Sequence, residues 1–350
     1  MRVNARILQA PLTGVKRYLS AMLEAWPEPQ PQLLSPPKWA AHGPGGHAWE
    51  QFVLPARLAG ELLWSPVHSG PLAVRNQVVT VHDLVPLDHP EWLSPGFASW
   101  YRFMLPRLLR QARHVIAISR FTRSRLLEMT DLPAARISVV ANGVASLFQP
   151  PCSEQAGAAE VTMRQQLGLG EFPYLLSVGT LEPRKNLERL LAAWSRALPG
   201  LPRDLHLVIA GAPGSRLVFA GSSGRCQSRL PERVVRLGRV ADEQLPMLYA
   251  AAEWFVYLSL YEGFGLPPLE ALACGTPVII SDLEVFDEVV TDAAVRVDPT
   301  DIDAIARCLQ RAVADRQRRA ALAERARPAA APFTWQSSAR QTATILARFD

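Results

Sequence analysis

Short β-rich runs alternate with stretches of helical period along nearly the whole chain. Val78-Val79-Thr80-Val81, Val115-Ile116-Ala117-Ile118 and Ile137-Ser138-Val139-Val140 are brief apolar runs. Each is followed by a polar or glycine stop, which predicts strands. Leu62-Leu63-Trp64 is a shorter run of the same kind, and helical patterns occupy 19–26, 101–112 and 121–130. Phe148-Gln149-Pro150-Pro151 and the small, polar residues up to Ala159 then read as a linker. The alternation restarts with strand patterns at 174–178, 205–209, 234–237, 254–257 and 277–280. Helical patterns at 187–198, 242–252 and 267–274 separate them, and Pro328–Pro332 is a break before a last helix from Thr334. Strand–helix alternation of this kind predicts parallel α/β layers, and two such domains in series account for it.

Composition narrows the class. The chain has 350 residues, 49% apolar, 8% aromatic and 20% charged, enough for two cores and too apolar for a disordered chain. No run of about 18 uncharged apolar residues predicts a membrane span. The first residues reach Thr13-Gly14 without the apolar core of a secretory signal. Cys152, Cys226, Cys274 and Cys308 lie too far apart for metal-binding pairs and predict reduced thiols in a cytoplasmic protein. The net charge of +5 lies wholly in residues 1–165, which hold 16 Lys/Arg against 11 Asp/Glu. Between Arg102 and Arg125 stand seven arginines and no acid, a run suited either to anionic headgroups and phosphates or to a solvated helix face.

Two segments carry candidate chemistry. In Leu260-Tyr261-Glu262-Gly263-Phe264-Gly265-Leu266-Pro267-Pro268-Leu269-Glu270 a strand ends, two glycines form a tight loop and Pro267 suits a first helical turn. Backbone N–H groups at Gly265 and Leu266 would then face an anion, and Glu262 and Glu270 would accept hydrogen bonds from sugar or ribose hydroxyls. Gly179-Thr180-Leu181-Glu182-Pro183-Arg184-Lys185-Asn186 also follows a strand and precedes a helix. Arg184 and Lys185 side by side suit a diphosphate, the first as a fork and the second as a point charge. His82 and Asp83 end another strand, whereas Asn142-Gly143 reads mainly as a tight turn that tolerates positive φ. Nucleotide motifs of the GxGxxG and GxxxxGK[ST] types are missing, as is any cluster with metal-ligand spacing.

The Glu262–Glu270 spacing resembles the E-x7-E element of the retaining family-4 glycosyltransferases, and the Gly179–Asn186 string resembles their phosphate loop. Further likenesses are Pro11-Leu12-Thr13-Gly14-Val15-Lys16-Arg17-Tyr18, Thr80-Val81-His82-Asp83, Ala117-Ile118-Ser119 and Asn142-Gly143-Val144, in the expected order. The resemblance implies an α/β GT-B fold, two Rossmann-like domains with parallel sheets facing across a cleft. Residues 1–165 would bind the acceptor, 166–333 the nucleotide sugar, and the helix at 334–350 would cross back to the first domain. Arg184 and Lys185 would hold the donor diphosphate, Gly179 and Thr180 would line it, and Gly14 would let the backbone approach it. Glu262 would bind the donor sugar with Gly263, Phe264, Gly265 and Leu266, and Glu270 the ribose. His82 would sit by the anomeric carbon and Asp83 near the acceptor. Ala145 stands where many relatives carry an acid, and Gly14 alone where many carry two glycines.

By the same resemblance the expected reaction is retaining hexosyl transfer without metal or cofactor. The donor would be GDP-mannose first and a UDP-sugar next, and the acceptor a glycan or lipid-linked oligosaccharide. The arginine run would touch an anionic membrane at the inner face of the cytoplasmic membrane, and no nucleic acid is implied. The rivals are a non-catalytic sugar-nucleotide-binding or scaffolding protein, and an epimerase or phosphorylase of the same fold. A pyridoxal-type phosphorylase needs a Schiff-base lysine, and this chain has only Lys16, Lys38 and Lys185.

Overall fold

The computed structural model describes residues 1–9, 14–40, 43–150, 156–215, 218–219 and 230–350. Pro11, Leu12 and Thr13 of the first loop, and Cys152 and Cys226, lie outside the described residues. The chain divides into two compact units, Met1–Gly143 with Phe333–Asp350, and Val144–Pro332. The boundary expected after residue 165 therefore falls at Gly143. Residues 156–167, read as partly linker, form helix Ala156–Leu167, which packs with helix Leu245–Ala250 of the second unit.

In the first unit the strands are β1 (Arg2–Asn4), β2 (Gln32–Leu34), β3 (Leu63–Ser65), β4 (Gln77–Val81), β5 (His114–Ala117) and β6 (Ile137–Val139). They form one parallel sheet in the order β2-β1-β3-β4-β5-β6. β4 and β5 are buried throughout, as expected of central parallel strands covered on both faces. Val79, Val81 and Val115 pack with Met104, Leu105 and Leu108 of helix Pro95–Gln111.

The second unit holds β7 (Tyr174–Val178), β8 (His206–Ala210), β9 (Val234–Gly238), β10 (Trp254–Tyr257), β11 (Val278–Ser281) and β12 (Ala294–Val297). Their order, β12-β11-β10-β7-β8-β9, is that of a dinucleotide-binding Rossmann sheet, with the strand order reversing between β7 and β10. Helix Leu187–Ala197 buries Leu190, Ala193, Trp194 and Ala197, one face at helical spacing, and helix Ile302–Ala314 buries Ile305, Ala306, Leu309 and Ala312.

Three strands escaped the sequence pattern: β1, β2 and β12. The first two are three residues long, and β2 leaves Gln32 and Leu33 exposed, so neither presents a readable period. The expected break at Pro328 is also displaced, because helix Arg316–Ala330 runs through that proline close to its end. Thr334 then caps the last helix, Trp335–Leu346, accepting from the Ser337 N–H at 3.2 Å.

That helix belongs to the first unit, where Ser338 Oγ donates to the Ala141 carbonyl at 2.6 Å. Gly143 adopts no positive φ, contrary to the turn reading. Its requirement is space, since a Cβ there would lie 2.2 Å from the Trp335 nitrogen and 2.4 Å from the Thr334 carbonyl carbon. Both obstructing atoms are backbone and cannot rotate away. Gly143→Ala is therefore expected to cost about 1–3 kcal/mol or more. Thermal unfolding checks this: a melting temperature several degrees lower is expected, and one unchanged within about 1 °C contradicts the packing.

Candidate active site

In open α/β sheets the ligand crevice lies beyond the carboxyl ends of the strands where their order reverses. In the second unit those strands are β7 and β10, and the two segments singled out in the sequence are the loops that follow them. After β7 the chain forms a single 3₁₀ turn, Pro183–Lys185, and Asn186 takes a left-handed conformation (φ 59°) before helix Leu187–Ala197. The Asn186 amide donates to the Pro299 carbonyl at 2.7 Å, which holds that corner. After β10 the chain passes Glu262 to Gly265, whose φ of 102° caps helix Leu266–Ala273. A Cβ on Gly265 would also meet the Phe286 ring at 2.6 Å, so glycine is required there twice over. The Leu260 N–H donates to the Arg184 carbonyl at 2.8 Å and ties the two loops together.

Glu262 is the centre of this rim. Its Oε1 accepts from Lys185 Nζ at 2.5 Å and from the Tyr257 hydroxyl at 2.8 Å, and its Oε2 accepts from Arg184 Nη1 at 3.2 Å. Arg184 Nε donates to Glu182 Oε1 at 2.5 Å, and Lys185 also donates to the Tyr257 oxygen. Glu182 and Glu262 are both buried. Burial alone would raise the Glu262 pKa, but the neighbouring Lys185 and Arg184 charges outweigh it and hold the carboxyl at about 2. Lys185 is lowered, first by burial and then by Arg184, with Glu262 and Glu182 opposing. Tyr257 is raised well above its ordinary range by burial and by the Glu262 charge. Two cations are thus fixed by two carboxylates at a helix-flanked loop, with their net charge cancelled.

Glu270 is buried on helix Leu266–Ala273 and accepts from the Tyr249 hydroxyl at 3.0 Å through Oε2. Gly263 and Phe264 are buried, Leu266 is half-buried and Thr180 is exposed. The N–H groups in the first turn of that helix have no partner within it, the property that suits a helix start to anions. Gly179 donates its N–H to the Ala210 carbonyl at 3.0 Å. Beside it, a Cβ on Gly211 would lie 1.8 Å from the Gly179 carbonyl oxygen, so only glycine lets the two loops approach so closely. Sequence reasoning missed Gly211, Tyr257, Tyr249 and Glu182. The Ala210-Gly211-Ala212-Pro213-Gly214 string after β8 was a signal for the first, whereas Tyr257 and Tyr249 read as core aromatics.

In the first unit, whose order reverses between β1 and β3, the candidates sit at the same kind of edge. His82, directly after β4, is buried against Tyr18, with ring centroids 4.6 Å apart. Its Nε2 lies 2.8 Å from the Pro66 carbonyl, an acceptor, so that nitrogen carries the proton and Nδ1 is left as an acceptor. Burial lowers the His82 pKa to about 4, assisted by His68 and opposed by the Pro66 carbonyl and Asp83, so the ring is neutral at pH 7. Asp83 accepts from the Val85 N–H at 3.2 Å, which commits one oxygen to the turn. Gly14 opens helix Gly14–Glu24 and is exposed, with nothing within 4 Å of the position of a Cβ.

A buried polar cluster nearby was not anticipated. Glu50 accepts from Asn4 at 2.6 Å and Ser69 at 3.0 Å, with Arg6 Nε at 3.4 Å. Burial would raise its pKa, but Arg6 and His47 hold it at about 2. The arginine run between 102 and 125 does not form one face. Arg102, Arg107 and Arg110 are exposed on helix Pro95–Gln111, while Arg113 donates to Asn76 at 2.9 Å and the Phe349 carbonyl at 3.1 Å. Arg120, Arg123 and Arg125 sit on a separate helix, where Arg125 pairs with Asp88 at 2.6 Å and with Glu128. Among the described residues, no group of three His, Cys, Asp or Glu is arranged to hold a metal, and no helix is long and apolar enough to cross a membrane.

Residues 61–146 match the family Glycosyltransferase Family 4 and residues 160–328 match Glycosyl transferases group 1. The O-antigen chain mannosyltransferase B of Escherichia coli is 34% identical over 279 residues, 78% of this chain and 70% of that protein. The O-antigen chain mannosyltransferase RfbU of Salmonella typhimurium is 29% identical over 69% of this chain, which spans 62% of RfbU. Anabaena HepE, solved in complex with UDP-glucose, shares the fold with a TM-score of 0.75 at 19% identity, covering 99% of this chain and 98% of its own. The chain belongs to the family-4 glycosyltransferases and is a mannosyltransferase-like enzyme of the GT-B fold.

Proposed function

We propose that the enzyme transfers mannose from GDP-mannose, with retention of anomeric configuration and without a metal, to a hydroxyl of a glycan or lipid-linked oligosaccharide. The observation that carries this is the pair Arg184–Lys185 held by Glu262 at the switch point of the second sheet. A diphosphate arriving there meets two cationic donors already positioned, which it shares with Glu262 and Glu182. GDP-mannose is favoured because the O-antigen relatives are mannosyltransferases, and HepE with UDP-glucose keeps a UDP-sugar as the alternative.

The C1–oxygen bond to the diphosphate breaks as the acceptor oxygen bonds to C1 on the same face. The acceptor proton passes to the departing diphosphate oxygen. Arg184 and Lys185 stabilise the negative charge that grows on that leaving group. Glu262 anchors both cations and, once the diphosphate shares them, accepts from hydroxyls of the transferred sugar. Gly179, Thr180 and the N–H groups of Gly265 and Leu266 line the diphosphate and sugar, with Gly263 and Phe264 shaping the loop. Glu270 takes the ribose. In the first unit, neutral His82 offers Nδ1 to a bound sugar, Asp83 faces the acceptor side, and exposed Gly14 leaves its loop open to close approach by a ligand. Contact with an anionic membrane narrows from the whole arginine run to Arg102, Phe103, Arg107 and Arg110, all exposed on helix Pro95–Gln111.

Lys185→Ala removes one charged contact to the leaving group, each worth roughly 1.5–3 kcal/mol. Donor kinetics with GDP-mannose are expected to show kcat/KM reduced about ten- to a hundredfold. Turnover within about threefold of wild type would rule out the clamp.

The His82 ring generates a pH dependence. Its folded pKa of about 4 lies below the ordinary 6.5, so between those values the unfolded chain binds more protons. Stability present above pH 6.5 is therefore lost as the pH falls toward 4. His68 and His114 are shifted in the same direction, also first by burial. Denaturant titrations at pH 7 and pH 5 are expected to differ by about 2 kcal/mol on account of His82 alone. His82→Asn should lose that part of the slope; an identical slope in both proteins contradicts the buried neutral ring.

A further inference from the structure

The second unit holds another concentration of positive charge, which the donor site does not use. A groove of about 930 Å³ lies between β12, helix Ile302–Ala314 and the start of helix Arg316–Ala330. Arg296, Arg307, Arg311, Arg316 and Arg318 line it, and Asp315 is the one acid among its lining residues. Arg296 is already paired with Asp287 at 2.6 Å and Asp282 at 3.6 Å. The other four arginines are exposed, and their side chains make no hydrogen bond or ion pair among the described residues. Asp315 uses Oδ1 to cap the helix, accepting from the Arg318 N–H at 2.8 Å. The groove is thus rimmed by cations with free donors.

Local physics does not favour this placement. Arg307 and Arg311 stand four residues apart on one helix, a spacing at which like charges repel. Arg316 and Arg318 occupy the first turn of helix Arg316–Ala330, the positive end of its dipole, and that turn carries no acid. Departures from local preference concentrate where a site requires them. Below the rim lie Val295, Ala312 and Cys308. Burial pushes the Cys308 thiol up to about 11 even though Arg318 and Arg311 pull it down, so it is a neutral floor and not a thiolate. The volume falls within the range of small-molecule sites.

We propose that this groove is a second anion site, in which Arg307, Arg311, Arg316 and Arg318 bind a phosphate-bearing ligand by forked hydrogen bonds. An anion there relieves both the like-charge pair and the helix start. None of Arg184, Lys185, Glu262 and Glu270 lines the groove, so the ligand is distinct from the donor. The same phosphate chemistry is offered by a soluble diphosphate and by a phospholipid headgroup.

Two arms separate these sources. Inorganic diphosphate is titrated calorimetrically into Lys185→Ala, which blunts the donor clamp, and into the same variant carrying Arg311→Gln and Arg318→Gln. Vesicles of phosphatidylglycerol or phosphatidylcholine are sedimented with wild type and with the Arg311→Gln/Arg318→Gln protein. A soluble ligand predicts diphosphate binding that survives Lys185→Ala and weakens about tenfold or more when both arginines are replaced. A headgroup predicts phosphatidylglycerol-selective sedimentation that the same pair of substitutions abolishes. If the arginine pair alters neither binding, the site is overturned and these residues are solvated surface charge. Donor turnover of the arginine variant, measured without either probe, is expected to match wild type, whereas undiminished donor turnover in Lys185→Ala counts against the donor clamp alone.

Discussion

The second unit's site depends on one buried carboxylate. A lone ionised glutamate at the position of Glu262 would be strongly disfavoured, because burial removes the water that stabilises its charge. Lys185 and Arg184 reverse that balance and keep it ionised, and Glu262 in return holds two flexible cationic side chains in place. Removing any one partner leaves an uncompensated buried charge, which costs far more than the intact group contributes. Tyr257, pressed against both Lys185 and Glu262, excludes water from the same corner. The cations are therefore preorganised before any donor arrives, the arrangement that makes electrostatic stabilisation of a leaving group effective.

Topology decides why these residues meet. Arg184 and Glu262 are far apart in sequence, yet β7 and β10 are hydrogen-bonded neighbours, and the reversal of strand order opens the crevice at their ends. The first unit repeats the principle at the edge of β1, β3 and β4, where His82 follows β4 and the Arg6–Glu50 pair follows β1. Each sheet thus offers its chemistry from loops on a rigid parallel scaffold, while helices such as Leu187–Ala197 and Ile302–Ala314 supply the apolar backing.

Central strands were legible because burial on both faces writes a continuous apolar run, as in β4, β7 and β10. The edge strands β6 and β9 were legible too, but β2 and β12, at the opposite edges of the two sheets, were not. β2 is short and largely exposed, and β12 carries Arg296 in the middle of its run. Helix Ala156–Leu167 was hidden by alanine and glycine, which look like linker residues until Leu245–Ala250 provides a surface to pack on. The positions of Glu262, Glu270, Arg184 and Lys185 were readable from loop spacing. That Glu262 grips both cations was not, since ion pairing across two loops follows from strand order and not from spacing. Likewise, the need for glycine at 143 arises from the backbone of Trp335, far along the chain.

A crystal structure of the enzyme with bound GDP tests the central claim most directly. The diphosphate is predicted to lie within hydrogen-bond reach of both Arg184 and Lys185, with the ribose hydroxyls on Glu270. A nucleotide whose diphosphate sits elsewhere, with Lys185 and Arg184 still paired only to Glu262 and Glu182, would contradict the account.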